Sequence, residues 1–229
     1  MPRAVFFSMG GGLGHLNRSL AVIRQLRRSA PHTEPLVVTN SPFCHLALSA
    51  GVPVLRLPGS FEQELIGQND LTSTISAVVL DTLGPADVLL VDALPDQLDA
   101  DLLRAMRHGK YLKVFVYRHE VPAFDPELLE AFDLVFYPFP AHLAPAGLPD
   151  RFTPCGYILG RQAQDVLTRP QARLRLGLAP DGEEPVILAF HACSPAETMA
   201  LFRQVKGASD ALGLGHSLRL STPQVLPGV

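Results

Sequence analysis

Apolar residues fall along this chain in two alternating patterns, short continuous runs and stretches at helical spacing. Ala4-Val5-Phe6-Phe7 is the first run, and Gly10-Gly11-Gly12-Leu13-Gly14-His15 follows it. Leu16, Leu20, Ile23 and Leu26 then recur as one face of a helix, with Arg24, Arg27 and Arg28 on its outer side, the arginines near its end suiting the negative pole of the dipole. Leu36 to Thr39 reads as a second strand. Ser41-Pro42 predicts a helix start that ends at Gly51, and Val52 to Leu57 a third strand. Pro58 to Asn69 is long and polar for a connection, either a mobile binding loop or a poorly ordered one. Asp70 caps a helix bearing Leu71, Ile75, Val78 and Val79, which Gly84-Pro85 closes. Val88 to Val91 is a fully apolar strand ending at Asp92. Asp99 to His108 is helical, Tyr111 to Tyr117 a strand running into Arg118-His119-Glu120, Asp125 a helix start and Leu134 to Tyr137 the next strand. Near-continuous apolar strands alternating with helices imply a parallel sheet covered on both faces: an α/β, doubly wound fold.

The texture changes from Pro138 to Glu184, where prolines and glycines are frequent and the apolar period weakens outside Thr153 to Leu159, which reads as a last strand. Val186 to Phe190 opens a new strand, Pro195 to Val205 a helix, and His216 to Leu220 a further strand. The expected division is residues 1–158 as a Rossmann-like domain, 159–184 as a linker and 185–229 as the start of a second α/β domain. A single β-α-β piece buries too little surface to stand alone, so that second domain is expected to be incomplete.

A strand that runs through glycines into a helix gathers unpaired backbone N–H groups and the positive end of the helix dipole at one point, which suits an anion. In parallel sheets ligands lie beyond the carboxyl ends of the strands, so His15, Asn40, Asp92 and Arg118-His119-Glu120 are candidates by position. A dinucleotide fingerprint fails at its sixth position, which is His15, and at the end of strand two, where Asn40 replaces the acidic residue. A Walker loop fails for want of Gly-Lys-Ser/Thr. Asp92 could orient His15 or bind a hydroxyl, or simply cap a loop. Arg118 could meet a phosphate or lie solvated, and of His119 and Glu120 at most one faces the cleft. His191 and Cys193 sit where a phosphate loop of the second domain would be, but the glycine expected there is missing.

Composition narrows the class. A net charge of −3 and the lack of Lys/Arg clusters argue against nucleic-acid binding. Cys44, Cys155 and Cys193 are too scattered for a metal site and fit a reducing cytoplasm. No stretch approaches the roughly 20 apolar residues of a membrane span, so membrane contact is expected to be peripheral at most.

Gly10 to Leu20, together with Val91-Asp92-Ala93-Leu94-Pro95 and the renewed strand at Val186, resembles the N-terminal half of the GT-B glycosyltransferases. The likeness is greatest to the branch that contains the lipid II-forming N-acetylglucosaminyltransferase. The resemblance implies sugar transfer from a nucleotide-diphosphate donor, UDP- or dTDP-linked, to an acceptor hydroxyl on a small molecule or lipid, with no metal and no further cofactor. It matches His15 to the family's histidine, a base or phosphate contact, and Asp92 joins it as a catalytic candidate by its position. It sets Gly10, Gly11, Gly12 and Gly14 against the diphosphate, while Asn17, Arg18, Arg118 and His119 are substrate and phosphate candidates by their place near the loop and the strand ends. It further implies that most of the donor pocket belongs to the second domain, so a partner chain supplying that half is one expected arrangement. Two other readings stand beside it: a sugar-nucleotide epimerase of the same architecture, and a non-catalytic acceptor-binding fragment.

Overall fold

The structure, a computed structural model of the full chain, describes residues 1–9, 13–59, 62, 71–93, 98, 100–117, 129–143, 152–160, 166–191, 195–214 and 218–221. The chain divides into two compact units, Met1–Gly160 and Arg161–Val229.

The first unit is built on a parallel sheet of seven strands. They are β1 (Arg3–Ser8), β2 (Glu34–Thr39), β3 (Val54–Arg56), β4 (Val88–Asp92), β5 (Leu112–Val116), β6 (Leu134–Tyr137) and β7 (Phe152–Pro154), in the spatial order β3-β2-β1-β4-β5-β6-β7. The described helices between them are α1 (Leu13–Ser29), α2 (His45–Ser49), α3 (Leu71–Asp81) and α4 (Ala100–His108). Side chains of a strand alternate between faces. On β1, Ala4 and Phe6 pack with Leu16, Leu20 and Ile23 of α1 and Ala47 of α2. Val5 and Phe7 pack on the opposite face with Leu80 of α3 and with Leu102 and Met106 of α4. Two apolar layers therefore enclose the sheet, which is the doubly wound arrangement.

Chain order reverses between β1 and β4, the two central strands, and their carboxyl ends form the switch point where such sheets open a crevice. Ser8 pairs with Asp92 at that end, and the Met9 N–H donates to the Asp92 carbonyl at 3.1 Å. The first turn of α1 rises directly from the same place.

Several elements begin elsewhere than the apolar pattern predicts. Helix α1 opens at Leu13, one turn before Leu16. The Ser41-Pro42 helix start is instead a pair of turns: the Ser41 N–H donates to Thr39 Oγ1 and the Phe43 N–H to Ser41 Oγ, so α2 waits until His45. Local side-chain acceptors compete there with the helix for backbone donors. The last strand of the unit is Phe152–Pro154 rather than 153–159. The helix start at Asp125 and most of the Pro58–Asn69 connection lie outside the described residues.

The second unit holds α5 (Arg169–Arg175), β8 (Ile187–Phe190), α6 (Pro195–Ala211) and β9 (Leu218–Ser221), with β8 and β9 paired in parallel. Helix α5 falls inside the stretch expected to be a linker. Its anchor is polar, which is why the apolar period missed it: Arg173, 3% exposed, donates to the carbonyls of Ala179 and Glu184 and pairs with the Glu184 carboxylate. Arg219 of β9 ties to the same helix through the Leu176 carbonyl. Leu188 and Phe190, on one face of β8, remain exposed.

The end of the first sheet opposite the switch point carries its own clamp. Asp87, buried just before β4, accepts from the Arg3 N–H (2.7 Å), the Arg3 guanidinium (2.7 Å) and the Gly84 N–H (2.9 Å). Burial alone would push this carboxyl up, but the hydrogen bonds from Gly84 and Arg3 and the charge of Arg3 bring it down to about 2. Its folded-state value is depressed, so its stabilisation is full above about pH 4 and is lost as pH falls towards 2. Asp87→Ala is expected to cost roughly 1–3 kcal/mol by leaving those donors unmatched. In urea unfolding the gap between wild type and variant should close over that acid window, and a gap that persists there would mean that the carboxylate charge is not its source.

Candidate functional site

Three side chains converge at the switch point, and the sheet and helix periods explain why. On β4, Asp92 shares a face with Leu90, which packs in the α1 layer, so the carboxylate is directed at that helix. On α1, His15 and Arg18 are three residues apart and lie on one side of the helix. His15 Nδ1 lies 2.7 Å from Asp92 Oδ1. Arg18 forks onto the same carboxylate, Nε donating to Oδ2 at 2.6 Å and a terminal nitrogen to Oδ1 at 2.8 Å. Asp92 is 1% exposed and His15 6%, whereas the Arg18 side chain retains 19%.

Burial would raise the Asp92 carboxyl. The hydrogen bonds from His15 and Arg18, together with the Arg18 charge, outweigh that and hold it below the usual carboxylate range. An ionised carboxylate only accepts, so the short contact assigns the proton of this pair to His15 Nδ1. In the neutral ring the lone pair is then on Nε2, the tautomer a proton acceptor requires.

A second layer of hydroxyls, not anticipated from the sequence, braces these groups. Ser8 and Ser19 share a hydrogen bond of 2.6 Å, which ties the end of β1 to α1 one residue beyond Arg18. Thr39 donates to the Ser8 carbonyl at 2.6 Å, bringing in the end of β2. All three are buried. The signal was present: Ser8 continues the Ala4/Phe6 face, and Ser19 falls within the buried Leu16/Leu20 stripe.

The remaining candidates divide. Gly14 and Asn17 are exposed in the first turns of α1, and a Cβ added at Gly14 would meet nothing within 4 Å. Arg18, expected among the phosphate contacts, is bonded to Asp92 through Nε and one terminal nitrogen. Asn40 is half-buried just after β2. Gly10, Gly11, Gly12, Arg118, His119 and Cys193 lie outside the described residues. His191 of the second unit bonds through Nδ1 to the buried Thr198 hydroxyl at 2.9 Å. Among the described residues no group of three His, Cys, Asp or Glu side chains could hold a metal ion, and no helix is long and apolar enough to cross a membrane.

No family model and no curated protein matches the sequence. Solved structures do. MurG of Acinetobacter baumannii aligns over 99% of this chain and 67% of its own length, with TM-score 0.50 and 13% identity. Anabaena HepE, solved in complex with UDP and glucose, aligns over 98% and 70%, with TM-score 0.55 and 14% identity. The fold is that of the GT-B glycosyltransferases. A putative UDP-N-acetylglucosamine 2-epimerase from Listeria monocytogenes aligns over all of this chain and 64% of its own, with TM-score 0.59 and 14% identity. The chain thus spans about two thirds of the length of the proteins it resembles. At such identities the likeness is one of fold.

The tautomer is directly measurable. In ¹⁵N NMR of the neutral ring, His15 Nδ1 should carry the proton and Nε2 the lone pair; a lone pair on Nδ1 would contradict an ionised Asp92 acceptor.

Proposed function

We propose that this chain belongs to an enzyme that transfers a sugar from a nucleotide-diphosphate donor to an acceptor hydroxyl, with His15 as the base. The observation that carries the reading is the buried His15–Asp92 contact at the switch point of a GT-B fold. Proton acceptance needs a nitrogen lone pair held in one orientation, and Asp92 supplies both conditions. As the acceptor oxygen bonds to the anomeric carbon, its proton passes to Nε2. The bond from that carbon to the diphosphate breaks, and its electron pair leaves with the diphosphate. The N-terminus of α1 is suited to the charge that develops there. Gly10, Gly11, Gly12, Gly14 and Asn17 are the proposed contacts on that side, with Arg118 and His119 as further ones. The donor is proposed to be UDP- or dTDP-linked and the acceptor a small molecule or a lipid met at a membrane surface. Further donor contacts are proposed to come from polypeptide corresponding to the remaining third of the similar structures.

The test combines binding with turnover. A UDP- or dTDP-sugar should raise the melting temperature of the chain by several degrees, and nucleoside diphosphate should be released only when an acceptor is present. Conversion of the nucleotide sugar without an acceptor would instead support an epimerase. His15→Ala should lower transfer at least ~100-fold, while near-normal transfer would remove His15 from the chemistry.

Gly14 gives a second check. Its φ is not in the left-handed region and the space beside it is open, so Gly14→Ala should stabilise the fold by about 0.5–1 kcal/mol. If a diphosphate approaches that backbone, the same methyl group should weaken donor binding. Unchanged affinity would place the diphosphate elsewhere.

A further inference from the structure

We propose that Arg18 is a positioning residue that acts on His15 through Asp92, cancelling the carboxylate charge that would otherwise hold a proton on the imidazole. The catalytic consequence rests on His15 being the base; the charge relation does not.

The argument is one of charge in a site removed from water. His15 and Asp92 are 6% and 1% exposed, so each charge there interacts with its neighbours far more strongly than at a surface. With Arg18 forked onto Asp92, a neutral His15 leaves the cluster with no net charge, and protonating it creates a buried excess of one positive charge. Without Arg18 the sign reverses: the neutral ring leaves an unmatched carboxylate, and the imidazolium matches it. Buried charges left unmatched are the costly state, so Arg18 decides which form of His15 is favoured. A carboxylate that only oriented the ring would need no arginine. A carboxylate bonded to His15 alone would orient the ring but also favour its protonated form, which cannot accept the acceptor proton.

The geometry fits a role exerted through Asp92. Arg18 occupies both carboxylate oxygens, including Oδ1, which His15 also contacts. The charged partners bonded here are Asp92 from β4 and Arg18 from α1, while β1 and β2 end in Ser8 and Thr39, which carry no charge.

The test reads protonation rather than turnover, so it stands apart from the sugar-transfer reading. In the full chain, His15 is followed by NMR through pH and assigned among the eight histidines by the signal lost in His15→Gln. Arg18→Gln should move its titration midpoint up by about one pH unit or more, a tenfold change in the protonation equilibrium. Arg18→Lys, which keeps the positive charge, should stay closer to wild type than Arg18→Gln. Asp92→Asn leaves the arginine without its counter-charge and should move the midpoint down, which supplies a reading should Arg18→Gln fail to fold. An unmoved midpoint in Arg18→Gln, an equal rise in Arg18→Lys, or a rise in Asp92→Asn would each overturn the proposal. Undiminished sugar transfer by His15→Ala would overturn the assigned chemistry but leave this charge relation intact.

Discussion

A carboxylate almost wholly withdrawn from water stands at the carboxyl end of β4, and much of the first unit follows from what it requires. An isolated buried charge of this kind is costly enough that a fold tolerates it only with donors on both oxygens. Asp92 finds three donor groups on two residues of one helix. That demand fixes where α1 must begin, because His15 and Arg18 reach the strand end only if its first turns lie over the junction of β1 and β4. The apolar stripe below them, Leu16, Leu20 and Ile23, then fills the layer against Ala4, Phe6 and Leu90. Packing and charge therefore impose the same placement on the helix, and neither could shift without breaking the other.

The central strand pair is clamped at both ends by different chemistry. At the start of β1 and β4, Asp87 draws in Arg3 and Gly84. At their far end, Asp92 draws in α1, and the Ser8–Ser19 bond repeats the connection from β1. The first clamp joins strand to strand and the loop before it. The second joins strand to helix, which is where side chains must be held if they are to work on a ligand. Thr39 extends this bracing across β2, so the ends of three adjacent strands share one set of hydrogen bonds. Such bracing keeps the His15 ring in one orientation without help from a ligand, a condition for positioning a reacting group.

Much of this was legible in the residues. The continuous apolar runs at Ala4, Val88 and Leu134 specify buried parallel strands, and the stripe of α1 specifies its covered face. Asp92 and His15 stand out by position, each just past a strand. What the pattern did not convey was direction. Arg18 reads from sequence as a surface cation near a glycine loop, and only the alternation of β4 shows that Asp92 points towards it. The periods place Ser8 and Ser19 on the buried faces of their elements, but they do not say that these two hydroxyls, eleven positions apart, meet each other. Helix α5 escaped for a related reason. Its anchor is a buried arginine held by carbonyl oxygens, and an apolar period cannot register a core made by a cation.

The second unit reuses one part of the design and omits another. His191, just past β8, bonds to Thr198 in the first turns of α6, pinning a strand end to the helix that follows, much as Ser8 does with Ser19. Thr198 is fully buried, so this bond ties the strand end to the helix rather than offering a hydroxyl to solvent. But its partner is a neutral hydroxyl, which leaves open which nitrogen of His191 carries the proton, whereas an ionised carboxylate imposes the tautomer on His15. Of His15 and His191, only His15 is joined to a buried carboxylate with an arginine on its other side. The proton chemistry proposed for the fold therefore falls to the first unit, where charge and orientation are set together.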